Sequence, residues 1–288
     1  MKYSKSYVAL VTPFDKDLKV DVEKIRELVR FHIDNMTTGI VVCGTTGEAA
    51  TMSEEEYVLA IKTVVEEANG KIQVIAGAGA NSTEKAVYLT KLCKDLGVDA
   101  VLSVTPYYNK PTQRAIINHY KKVAEVGLDV ILYNVPSRTG VNMEVETTVE
   151  LSKVKNIVGI KEATGNIDQM IEIINRVDKD FAVISGEDNF MLPMQAIGSC
   201  GVISVTANAM PKEVAMQFEL EGEERFKLHQ FMYDIHKSMF IEGNPVTIKA
   251  SMNVLGLLEN DGVREPLLVA TEETKERLRK LFIQKGLI

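Results

Sequence analysis

The chain has 288 residues, 45% hydrophobic and 25% charged, with a formal net charge of −7. That length suits one large domain, with or without a small appendage, and its core needs no disulfide or metal staple. The acidic, well-mixed charge excludes the basic, aromatic-studded face of a nucleic-acid binder.

In chain order, the first apolar run is "YVALVT" (7–12). A helical pattern follows over 21–35, where Val22, Ile25, Leu28, Val29 and His32 recur at spacings of three and four. "GIVVCGTTG" (39–47) is the second apolar run. Residues 53–70 read as a helix that opens on the capping-box pair Ser53 and Glu56 and ends at Gly70. Six more runs come next: "IQVIAGAGA" (72–80), "AVLSVTPYYN" (100–109), "VILYNVPSRTG" (130–140), "IVGIKEATG" (157–165), "FAVISGED" (181–188) and "GVISVTAN" (201–208). Their β-branched residues sit consecutively, as in strands buried on both faces. Eight strand–helix units in succession predict an α/β fold, a (β/α)8 TIM barrel; an open six-stranded sheet would leave two units unplaced. From 222 onward the strand runs cease and three helical patterns follow. The expected organisation is a catalytic barrel over 1–221 and a C-terminal helical appendage over 222–288, with no Pro/Gly/Ser linker between them.

Other signals are exclusions. Cys43, Cys93 and Cys200 are far apart and form no CxxC, which fits a reducing compartment. "MKYSKSYVALVTPF" lacks a signal-peptide core, and no window approaches the ~20 apolar residues of a membrane span. A cytoplasmic protein with no membrane or nucleic-acid partner is expected. His229 and His236 lie seven apart without carboxylates at ligand spacing, so no metal site is expected. "GAGANS" (77–82) imitates a dinucleotide fingerprint but lacks its third glycine and reads as a tight turn.

Active sites of such barrels sit at the C-terminal strand ends. There the runs supply Thr45 and Thr46, Tyr107 and Tyr108, Tyr133, Arg138, Lys161 and Gly186. Lys161 alone closes a long apolar run with an ammonium. Such a lysine is ordinarily a snorkelling or salt-bridged one, with Glu162 as the obvious partner. Strand alternation, however, turns Glu162 to the opposite face. A desolvated amine has a lowered pKa and can attack a carbonyl as a Schiff-base nucleophile. Tyr133 is by default an amphipathic core residue; beside such a lysine its hydroxyl can shuttle protons, with Thr45 as relay. "GTTGE" reads equally as a glycine-cornered turn or as a cradle for a carboxylate. Arg138, between Pro136 and Gly140, is either a solvated loop residue or a fork for a second carboxylate.

Taken together, "GTTGE" (44–48), "TPYYNKP" (105–111), "YNVPSRTG" (133–140), "GIKEATGN" (159–166) and "GVISVTAN" (201–208) resemble the 4-hydroxy-tetrahydrodipicolinate synthase family, among the pyruvate-dependent class I aldolases. The resemblance covers essentially the whole chain. It implies a lyase of lysine and diaminopimelate biosynthesis that condenses pyruvate with aspartate semialdehyde. Lys161 would form the Schiff base, and Tyr133, Thr45 and Tyr108 the proton relay, with Tyr108 serving a neighbouring subunit of a homo-oligomer, a dimer of dimers. Thr46 would hold the pyruvate carboxylate and Arg138 the aldehyde's, while Gly186 and Ile203 would line the site. No cofactor is implied, because the lysine is itself the electron sink. The family's lysine-inhibitor site would fall at Ala49, Glu54, Tyr57, Asn81, Lys85 and Tyr107. Lys85 there, where inhibited members carry a carboxylate, implies weak or absent feedback. Within the superfamily the alternatives are an N-acetylneuraminate lyase or a 2-keto-3-deoxy sugar acid aldolase, for which Arg138 is a poor match. A non-catalytic keto-acid-binding barrel would have no use for lysine, tyrosine and threonine together.

Overall fold

The computed structural model describes residues Met1–Ile288. Eight strands, β1 (Lys5–Ala9), β2 (Gly39–Val42), β3 (Gln73–Gly77), β4 (Ala100–Val104), β5 (Asp129–Asn134), β6 (Ile157–Glu162), β7 (Ala182–Ser185) and β8 (Gly201–Ser204), close in chain order into a parallel barrel. The expected (β/α)8 architecture is therefore present, with C-terminal helices. The strands are shorter than the apolar runs, because several runs continue into buried loops. β4 stops at Val104, two residues before Pro106, whose ring nitrogen has no hydrogen to donate to a ladder.

The chain forms two compact units: Met1–Lys5 with Gln73–Ile203, and Ser6–Ile72 with Ser204–Ile288. In the first, β5 and β6 pair with Tyr133 opposite Lys161 and Asn134 opposite Glu162, and β6 pairs with β7 through Lys161 and Ile184. Ile131, Ile160 and Ile184 on these strands are wholly buried, and their β-branched side chains favour the pleated backbone. The helix Ile167–Arg176 begins where the Asn166 side chain accepts from the Gln169 N–H.

In the second unit, the helix Val22–Asp34 is capped by Asp21. The helix Glu54–Ala68 carries the expected Ser53–Glu56 capping box and closes on Asn69 in the left-handed conformation, one residue before Gly70. The C-terminal helices are Gly222–Ser238, Val246–Val254 and Glu272–Gln284, preceded by Pro211–Glu219, which the sequence reading did not pick out. Val246–Val254 is buried along nearly its whole length, which accounts for its apolar sequence and makes Lys249 within it conspicuous.

Candidate active site

Lys161 is the penultimate residue of β6 and Tyr133 the penultimate residue of β5, so their register brings them side by side at the C-terminal strand ends. The Lys161 Nζ lies 4.5 Å from the centre of the Tyr133 ring. Lys161 is only 6% exposed and forms no ion pair within 4.0 Å. Burial pulls its pKa from 10.5 to about 8; Asp188 and Glu187 oppose that shift and Arg138 adds to it. At pH 7 about a tenth of such amines are neutral, some 300-fold more than at the ordinary value. The structure thus supplies the desolvated amine that the Schiff-base reading requires. Glu162, the alternative ion-pair partner, binds Asn134, Gln169 and the Thr164 N–H instead.

Gly186 makes room for the lysine arm. A Cβ built on it would lie 2.6 Å from the Ala163 Cβ and 3.1 Å from the Lys161 Cε, so no larger residue fits without displacing the strand ends. Its N–H donates to the Glu162 carbonyl at 2.7 Å. Ile203 is wholly buried on β8. Next come Glu187 and Asp188, whose electrostatic influence reaches Lys161. Burial, then Asp188, pushes the Glu187 carboxyl up. Arg138 is an exposed residue on the short helix Pro136–Thr139, which Gly140 ends at a φ of +74°.

In the second unit, Thr45 and Thr46 follow β2. Thr45 is exposed; Thr46 is buried and its Oγ1 accepts from Asn244 Nδ2 at 2.9 Å. The same turn is anchored by Thr12 Oγ1 donating to the Gly47 carbonyl at 2.7 Å. Glu48, in the left-handed conformation, accepts from Lys249 Nζ at 2.6 Å and from the Arg264 N–H at 2.9 Å. Both side chains of that ion pair are almost fully buried. Burial pulls Lys249 to about 8, with Glu48 the main opposing influence. The chain therefore has two buried lysines of similar pKa, of which Lys249 is in a close ion pair and Lys161 is not. Sequence reading missed the Lys249 pair. Its signal was the single charged residue within the stretch 245–258, without any indication that Glu48 was its partner.

Tyr107 and Tyr108 lie on the loop beyond β4. Tyr108 is 90% exposed, with φ +74°. Of the inhibitor-site positions, Tyr57 is buried and Glu54 exposed in the second unit, while Ala49 is partly exposed there. In the first unit the Asn81 carbonyl accepts from Asn109 Nδ2 at 2.9 Å. The Lys85 N–H there caps onto Ser82, and Tyr107 is exposed.

Residues 2–285 match the family model described as the dihydrodipicolinate synthetase family. A 4-hydroxy-tetrahydrodipicolinate synthase of Geotalea uraniireducens is 48% identical over 291 residues, covering 99% of this chain and all of the relative. That of Sulfurihydrogenibium is 45% identical over 289 residues, covering 98% of each. Among solved structures, the dihydrodipicolinate synthase of Acinetobacter baumannii, chloride-inhibited and complexed with pyruvate, superposes with a TM-score of 0.96 at 43% identity, covering 99% of each chain.

Proposed function

The chain belongs to the dihydrodipicolinate synthetase family, and we propose that it acts as a 4-hydroxy-tetrahydrodipicolinate synthase, a lyase of the class I aldolase type in the diaminopimelate route to lysine. The observation that carries this reading is the buried amine of Lys161, in no close ion pair, beside Tyr133. The neutral amine attacks the keto carbon of pyruvate, and loss of one water leaves a protonated imine. Removing a proton from the methyl carbon gives the enamine, whose carbon adds to the aldehyde of aspartate semialdehyde. The amino group of that substrate then attacks the imine carbon, closing the ring and releasing Lys161 as a free amine.

Tyr133, Thr45 and Tyr108 are assigned to the proton relay, because imine formation and release each move protons at the same nitrogen. Thr46 and its turn are assigned to the pyruvate carboxylate, Arg138 to the aldehyde's carboxylate, and Gly186 and Ile203 to the lining. The exposure of Tyr108 supports its service to a neighbouring subunit, hence a homo-oligomer, a dimer of dimers. The barrel is assigned to 1–221 and the helical appendage to 222–288. A cytoplasmic location fits a biosynthetic enzyme, and no helix is long and apolar enough to cross a membrane. Residues of the inhibitor site are read as degenerate. Steady-state assays with pyruvate held saturating test the substrate assignment. Turnover of aspartate semialdehyde is expected; cleavage of N-acetylneuraminate or a 2-keto-3-deoxy sugar acid without it would overturn the assignment.

A further inference from the structure

One residue past Tyr133 and Lys161, Asn134 and Glu162 face each other in register and are wholly buried. The two Glu162 oxygens accept from Asn134 Nδ2 at 3.2 and 3.1 Å, from the Thr164 N–H at 3.0 Å and from Gln169 Nε2 at 3.2 Å. Every partner is a neutral donor and no cation pairs with Glu162. On balance burial pushes its carboxyl pKa up, against the smaller lowering by Asn134, Thr164 and Gln169.

A second ring of contacts reaches the segment that carries Arg138. Asn142 Oδ1 accepts from Asn134 Nδ2 at 2.8 Å, and its Nδ2 donates to Gln169 Oε1 at 2.8 Å. The Met143 N–H donates to Asn134 Oδ1 at 3.0 Å, and Gln113 Nε2 donates to the Asn142 carbonyl at 2.8 Å. Lys161 and Tyr133 are already fixed by the β5–β6 ladder. The segment between Val135 and Met143 holds only a four-residue helix, tied internally by Thr139 Oγ1 donating to the Val135 and Val141 carbonyls and anchored to the strands at its far end by these side chains.

We infer that the buried cluster of Glu162, Asn134, Gln169 and Asn142 is a positioning device. It ties the Arg138 turn to the strand pair bearing Lys161 and so sets recognition of the second, carboxylate-bearing aldehyde. This rests on the proposed function. It divides the two half-reactions: imine formation depends on the strands, and aldehyde capture on the cluster.

The test uses full-length Gln169→Met, which keeps volume but removes donor and acceptor, and Asn142→Ala, at a half-buried site. The KM for aspartate semialdehyde is expected to rise about tenfold in each. The rate of borohydride-trapped imine formation with saturating pyruvate should stay within about twofold, since the ladder is untouched. Because Gln169 and Asn142 bond to each other within one network, the double variant should show less than the sum of the two single effects. A Gln169→Met chain that does not fold leaves the Asn142→Ala split between KM and trapping rate to decide. Wild-type protein that forms no Lys161 adduct would overturn the function and this inference together. Wild-type protein that forms it, alongside variants with unchanged aldehyde KM, equal losses in both half-reactions or additive effects, would overturn the inference alone.

Discussion

Replacing Lys161 should make the protein more stable. Lys161 is held near pKa 8 in the folded chain against 10.5 when free, so at neutral pH the unfolded chain binds its proton more tightly. The folded-state pKa is lowered, and between pH 8 and 10.5 the unfolded state carries more protons, so stability rises with pH across that window. Below pH 8 the full cost of the buried ammonium is present, about 3 kcal/mol by this shift, with the attraction of Asp188 and Glu187 already included. Methionine has nearly the volume of lysine and no charge to bury. Lys161→Met should therefore gain up to about 3 kcal/mol at pH 7 and only about 1 kcal/mol at pH 9.5. Urea unfolding of both proteins at one protein concentration, at the two pH values, measures the difference. A variant less stable than wild type at pH 7, or a gain that does not shrink with pH, would refute the claim that desolvation prepares this amine.

Imine formation followed by cyanoborohydride trapping should accelerate with pH through a midpoint near 8. Glu187→Gln should move that midpoint down, because Glu187 favours the charged ammonium; an upward shift would reverse the electrostatic assignment. Lys249→Met leaves Glu48 buried without its cation and should cost about 3–5 kcal/mol by denaturant titration. Its pyruvate KM should also rise, since Glu48 ends the Thr45–Thr46 turn; unchanged stability would mean that the pair is dispensable. Sub-millimolar lysine should leave the steady-state rate unaltered, because Lys85 would meet the ligand's ammonium with like charge; inhibition there would contradict the degenerate site. Tyr108→Phe should slow turnover without altering the sedimentation coefficient, and full activity would remove it from the relay.

The barrel was legible because eight buried parallel strands leave consecutive β-branched runs, and Lys161 stood out because an ammonium interrupts one of them. Tyr133 followed from the same reading, since both residues end a run. What lay beyond was hidden for physical reasons. Glu48 and Lys249 are 201 residues apart, and neither residue indicates its partner locally. Gln169 lies in the first turn of an amphipathic helix, where an amide ordinarily faces water. Here it is buried and shared between Glu162 and Asn142. Pro211–Glu219 went unread because its helical pattern adjoins the long helical tail and gives no break at 222.

Borohydride reduction in the presence of pyruvate, followed by peptide mapping, tests the central claim most directly. A single stable adduct on Lys161, with Lys249 unmodified and no adduct in Lys161→Met, is the result expected of a buried amine outside any close ion pair. An adduct on another lysine, or none on folded protein, would contradict the assignment of Lys161 as the Schiff-base nucleophile.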